Sequence, residues 1–224
     1  MLKFNHINKK LAIFFGVLLF GAQNITAHTI NYSLQNAPVH QVAWFYFKLG
    51  FTHIIPQGFD HVLFIIGICL INTRIKSIIY QASAFTVAHT IALALSMKNI
   101  IVAPGLIVEP IIAMSIVFVA VENIILRELK PWRIILVFLF GLIHGMGFAS
   151  SLNEIGLPPN KFFTSILMFN VGVEICQVMI IALVFGLLIY PNKNKSWYRY
   201  RIVYPISIAI ALVSSYWTIE RLML

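Results

Sequence analysis

Charge is what this chain has least of. Sixteen basic and seven acidic residues make up 10% of 224 positions, against about a quarter in an ordinary soluble domain. So little polar surface cannot cover a globule in water, but it suffices in lipid. Cysteine is nearly absent: Cys69 and Cys176 both lie in apolar runs. That excludes a disulfide framework and a thiolate metal cluster, and leaves both as packing residues. No phosphate-cradling glycine loop of the Walker type occurs, so any energy for transport comes from an ion gradient or a partner. The net charge of +9 lies in short segments between apolar runs, with no basic face interleaved with aromatics. Nucleic acid is therefore excluded as a partner. No polar stretch is long enough to form a separate soluble domain.

What remains is apolar: 60% hydrophobic residues and a mean hydropathy of +0.89. The fold class is all-α, a polytopic transmembrane helix bundle in a lipid bilayer. Residues 1–27 read as a cleaved signal peptide. Lys3, Lys9 and Lys10 form its positive start, and an apolar stretch at 11–22, short of the roughly 20 residues needed to span, precedes a small residue at Ala27. Residues 28–50 read as an external leader, with an aromatic interfacial segment at 44–51. Residues 51–224 form a membrane domain of six spans, at 51–72, 78–97, 103–126, 134–152, 162–190 and 202–223.

The basic residues test this segmentation independently. Arg74 and Lys76, then Arg127, Lys130 and Arg133, then Lys193, Lys195, Arg199 and Arg201 fall in alternate loops; the other side has Lys48, Lys98, Lys161 and Arg221. The richer side is cytoplasmic, which puts both mature termini outside and the protein in a cell inner membrane.

An ionisable side chain at mid-membrane costs roughly 2.5–3.5 kcal/mol on insertion scales, so each needs a partner or a task. The spans contain His53, Gln57, Asp60, His61, Thr86, His89, Glu109, Ser115, Glu122, Asn123, His144, Asn170, Glu174 and Gln177. On a continuous helix His53, Gln57 and Asp60 share a face, as do Asn170, Glu174 and Gln177. At about 1.5 Å rise per residue, Asp60, His89, His144 and Glu174 converge on the midplane, with Glu109 nearer the outside and Glu122 nearer the cytoplasm. Imidazoles with carboxylates and no thiolate suit Ni²⁺, Co²⁺, Zn²⁺ or Fe²⁺. The expected metal set is His53, Asp60, His61, His89, His144 and Glu174; Thr86, Glu109, Glu122, Asn123, Asn170 and Gln177 would line the pathway or orient the ligands. Each polar residue can instead hydrogen-bond a neighbouring helix, and Glu122 with Asn123 can be a structural cap. Small residues at Gly141, Gly145 and Ala149 allow a neighbour's backbone close; Pro56, Gly58 and Pro110 would loosen their helices.

Five ordered motifs carry a resemblance: GFTHIIPQGFDHVLF at 50–64, FTVAHT at 85–90, VEPIIAMS at 108–115 followed by Glu122 and Asn123, FGLIHGMGFA at 140–149 and FNVGVEICQ at 169–177. Together the chain resembles the HupE/UreJ family of membrane proteins. The resemblance implies a bacterial inner-membrane protein associated with uptake of nickel or a related metal for hydrogenase or urease. Members named for those operons often carry His-Pro-Gly after the signal peptide, where this chain has His28, Thr29 and Ile30. It looks closer to a second branch, which leaves the metal open. Three functions stand at this point: a divalent metal-ion permease, an intramembrane metal-dependent hydrolase, and an accessory subunit of a metal importer acting with a membrane partner or as a homo-oligomer.

Overall fold

The computed structural model describes residues 34–223, so the segment read as a signal peptide lies outside the described residues. All regular structure among them is helical. In chain order the helices are α1 (Val39–Ile54), α2 (Phe59–Leu70), α3 (Ile75–Met97), α4 (Gly105–Ile125), α5 (Arg133–Ile155), α6 (Phe162–Val184) and α7 (Tyr204–Met223). A π-helical turn at Phe185–Ile189 extends α6, and another at Arg199–Val203 leads into α7. Helices α3 to α7, the last two with their π turns, are each long and apolar enough to cross a membrane; α1 and α2 together make a sixth candidate passage.

That passage corrects the sequence expectation. No continuous helix runs over 51–72: the chain breaks at 55–58, and α1 and α2 meet at 68°. Pro56 has no N–H to give and its ring clashes with the preceding turn. Gly58 then passes so close to α1 that an added Cβ would lie 2.3 Å from the His53 carbonyl oxygen. The shared face inferred for His53 and Asp60 therefore does not exist. His53 ends one helix, while Asp60 and His61 start the next. Helix α1 also begins well before residue 51 and takes in the aromatic segment expected at the interface.

Three helix pairs pack tightly, α1 with α6, α3 with α5 and α4 with α7, and α2 lies among them, touching α4, α6 and α7. Every residue of α2 from His61 to Leu70 is buried, as expected of a helix that is apolar all round. Between apolar helices in lipid, close backbone packing replaces the hydrophobic drive. The α3–α5 pair uses it directly: an added Cβ at Gly145 would lie 2.3 Å from the His89 carbonyl oxygen, and one at Gly141 2.5 Å from that of Phe85. His144 is thereby drawn against the helix that carries His89.

Polar contacts pin the two ends of the bundle. At one end Lys161 Nζ donates to the carbonyls of Leu34, Gln35 and Ala37, and Tyr46 Oη to that of Gly156. At the other, Tyr198 Oη donates to the Leu70 carbonyl, and Arg199 donates to the carbonyls of Asn123, Ile124 and Leu126 at the end of α4. The bent pair thus starts beside the start of α6 and ends beside Tyr198, just before the π turn that leads into α7. At that far end Arg133, 2% exposed, lies 2.8 Å from Glu122 Oε2. Its two Nη atoms donate to Asn123 Oδ1 at 3.2 Å, and Asn123 Nδ2 donates to the Gly67 carbonyl at 2.8 Å. The Glu122 contact is one of charge rather than an aligned hydrogen bond, since the guanidinium's donors are aimed at Asn123.

Removing one member of such a buried pair typically costs about 3–5 kcal/mol, whereas replacing both with apolar residues is often neutral. Thermal unfolding in detergent should show a large loss for Glu122→Ala and most of it regained in Glu122→Leu/Arg133→Met. A double variant as unstable as the two single losses summed would show that the residues do not act as a pair.

Candidate metal centre

The break between α1 and α2 brings two histidines face to face. The His53 and His61 rings have centroids 4.7 Å apart. His61 is also 5.9 Å from His89 of α3 and 5.0 Å from His144 of α5, and His53 is 6.2 Å from His89. One ligand atom from each of His53, His61 and His89 fits within 4.8 Å of the others. Imidazole nitrogens around a tetrahedral ion at about 2.0–2.1 Å stand roughly 3.3 Å apart, so small rotamer changes suffice to close the set on an ion. His53 is 9% exposed, His61 5%, His89 0% and His144 1%.

Hydrogen bonds orient two of the rings. Asn170 Nδ2 donates to the Ile166 carbonyl at 2.8 Å, which turns its Oδ1 toward His89 Nδ1 at 3.3 Å. That oxygen can only accept, so Nδ1 carries the proton and Nε2 the lone pair. Ser115 Oγ donates to the Ile112 carbonyl at 2.7 Å and lies 3.1 Å from His144 Nε2. Its hydrogen being spent, it accepts from Nε2–H and leaves the lone pair on His144 Nδ1. Among the described residues, His53 Nε2, His61 Nε2, His89 Nε2 and His144 Nδ1 are all buried and have no hydrogen-bond partner. A buried polar atom left unpaired costs about 1–3 kcal/mol, and three of these rings, His53, His61 and His89, can each bring a ligand atom within 4.8 Å of the others. A cation that accepts lone pairs would satisfy them, and neutral imidazole is a preferred ligand of borderline transition metals.

Aromatic rings wall the cluster. Phe148 is 3.9 Å from His53 and stacks on Phe169, while Phe85 is 5.0 Å and Phe64 5.4 Å from His144. One side stays open. A cleft of about 310 Å³ is lined by His53, His61 and His144 and by Gln57, Asp60, Glu109 and Phe148, among others. Asp60 and Glu109 both face Arg221, whose Nη2 is 2.8 Å from Asp60 Oδ2 and Nη1 3.4 Å from Glu109 Oε2.

The remaining expected site residues fall elsewhere. Glu174 accepts from Ser83 Oγ at 3.2 Å, and Gln177 Oε1 from Thr86 Oγ1 at 3.3 Å, forming a polar seam between α3 and α6 beyond His89. Glu122 and Asn123 belong to the Arg133 contact at the far end. The structure thus gathers four of the six expected ligands as a histidine cluster. It puts Asp60 on the cleft with a guanidinium partner and Glu174 in the seam. Arg133 and Arg221 were not singled out from the sequence. The signal for them was charge balance: in-span acids need counter-charges, and these two arginines sit at the ends of spans. The aromatic walls Phe148 and Phe169 had no signal apart from ordinary apolar residues.

A family model described as HupE / UreJ protein matches residues 28–221. The chain belongs to the HupE/UreJ family. That match takes in all of the described cluster and reaches past the motifs at 50–177 to α7, including Arg221. Comparison with curated proteins and with solved structures gives no significant match. For this HupE/UreJ chain the Asn170 contact makes a specific prediction. Partners that orient a ligating histidine are worth about 10–100-fold in metal affinity. Asn170→Ala should weaken Co²⁺ binding by that factor, by isothermal titration of detergent-solubilised protein, while the melting curve barely moves. Unchanged affinity would remove Asn170 from the site.

Proposed function

We propose that this protein is a permease that carries a divalent transition-metal ion, Ni²⁺ or Co²⁺ foremost and Zn²⁺ or Fe²⁺ by the same chemistry, across the bacterial inner membrane. The ion is its substrate. His53, His61, His89 and His144 hold it midway, Asp60 and Glu109 line its approach from outside, and Thr86, Glu174 and Gln177 line its onward route between α3 and α6. Both mature termini are periplasmic in this reading. The observation that carries it is the set of four buried imidazole nitrogens without partners, on rings of which three, His53, His61 and His144, line an open cleft. Membership of a family associated with nickel and cobalt uptake supports the same reading.

The geometry also bears on direction. The cleft is lined by Asp60 in the first turn of α2 and Glu109 near the start of α4, both held by Arg221 at the end of α7, at the end of the bundle where Lys161 holds the start of α1. The Arg133, Glu122 and Asn123 contacts close the opposite end, which is the cytoplasmic one by its excess of basic residues. This is an outward-facing arrangement of an alternating-access carrier.

Three imidazoles with an open side also match a catalytic zinc. A hydrolase needs a carboxylate base beside the metal, however; the two on the cleft, Asp60 and Glu109, both face Arg221 in this state, and Glu174 lies in the seam between α3 and α6 rather than on the cleft. Transport is the better fit.

Proteoliposomes with purified protein should take up Ni²⁺ or Co²⁺, and His89→Ala should lower the initial rate about tenfold or more, since a lost ligand costs at least as much as a lost orienting partner. Equal uptake by wild-type and His89→Ala vesicles would sink the permease reading.

A further inference from the structure

Arg133 and Arg221 both face carboxylates, and they differ in kind. Arg133 is 2% exposed and locked between Glu122 and Asn123. Arg221 lies in the last turn of α7, its side chain 21% exposed, against two carboxylates that line the cleft. It reaches two carboxylates from different helices, Asp60 of α2 and Glu109 of α4, and Nη1 also donates to the Glu109 carbonyl at 3.2 Å. Along α7 its guanidinium carbon is 5.8 Å from the centre of the Trp217 ring, one turn back. That ring offers the charge a weak cation–π contact on the helix's own surface.

Asp60 and Glu109 without Arg221 would be two anions on one narrow cleft, each disfavouring the other's charge. The cleft continues past them to His61 and His144, which are at least nine-tenths buried and present unpartnered nitrogens. A cation on its way to those nitrogens passes the two carboxylates that the guanidinium holds. It is repelled by Arg221 and attracted by the oxygens that Arg221 holds, so the two compete for the same atoms.

On the permease reading above, we infer that Arg221 is a tethered competitor. It fills a carboxylate docking site for divalent cations, formed by Asp60 and Glu109, while the cleft is empty, and swings away when an ion arrives. The site sets specificity by charge. A monovalent ion gains no more from the two carboxylates than the guanidinium already does, and lacks its fixed fork of donors. A divalent ion gains about twice as much Coulomb energy from each oxygen, and so displaces the arginine. Arg221 then lies back along α7, within reach of Trp217, while the ion moves inward to the histidines.

Two measurements on the full chain in detergent test this, with Co²⁺ as the probe. If Arg221 occupies the carboxylates some nine-tenths of the time, removing it raises apparent affinity about tenfold. Arg221→Gln should bind Co²⁺ about tenfold more tightly than wild type, and should newly allow Na⁺ to compete. Arg221→Lys, which keeps the charge without the fork, should fall between. In the unmutated protein, modification of Arg221 by phenylglyoxal, read by mass spectrometry of the tryptic peptides, should accelerate severalfold when Co²⁺ is added. This arm does not depend on any variant folding. Affinity equal to or weaker than wild type in both variants, with labelling indifferent to Co²⁺, would overturn the competitor role. If wild type binds Co²⁺ and His89→Ala does not, that failure leaves the permease reading standing. If wild type binds no Co²⁺, both fall together.

Discussion

A polar atom buried away from water must find a partner, and in a membrane bundle the only partners are other parts of the protein. The two ends of the bundle meet much of that demand with long basic side chains. Arg133 takes Glu122 and Asn123, Arg199 takes three carbonyls at the end of α4, and Lys161 takes three at the start of α1. Other buried atoms stay unpaired too, Glu174 Oε2, Gln177 Nε2 and Ser207 Oγ among them, but the histidines are the ones that sit ring to ring. Asn170 and Ser115 each spend a hydrogen bond on one nitrogen of an imidazole, which leaves the lone pair of the other buried without a partner. Nothing in the packing requires that. The arrangement costs stability unless something outside the chain completes it, and a metal ion is the species that accepts several neutral nitrogens at once.

The break between α1 and α2 makes the cluster possible. On one straight helix His53 and His61 would be eight residues and about 12 Å of rise apart. Pro56 and Gly58 fold that distance away, so that the C-terminus of one helix and the N-terminus of the next bring their histidines within ring contact. The same break opens the first turn of α2, where Asp60 faces the cleft. Interrupted helices at a mid-membrane site put irregular backbone only where protein or a cavity surrounds it, which lipid would otherwise forbid. Around this break the scaffold is rigid, with α5 held on α3 by Gly141 and Gly145 and the far end tied by Arg133.

Much of this could be read from residues alone, and the reasons divide cleanly. Spans two to six announce themselves because twenty apolar residues in a row have one physical use, and the helices α3 to α7 lie within a few residues of those runs. His53, His61, His89 and His144 stood out for the opposite reason: each is a costly residue in an apolar context. Periodicity misleads at 51–72, where an unbroken apolar run implies one helix that Pro56 does not permit, although Pro56 and Gly58 are visible as loosening residues. Pairing across helices was not legible. Which acid meets which arginine depends on the order of helices in space, so Asp60 with Arg221 and Glu174 with Ser83 had to be observed. Spacing along one helix says nothing about its neighbours.

The central claim is that the unpartnered imidazoles bind a metal together. X-ray absorption at the cobalt edge of Co²⁺-loaded protein tests it most directly, because the method counts and identifies ligands whether or not transport is reconstituted. The account predicts a first shell dominated by three or four nitrogens at about 2.0–2.1 Å, with the outer-shell pattern of imidazole rings. A first shell made only of oxygens, or the same spectrum from a protein with His53, His61 and His89 all replaced by alanine, would contradict it.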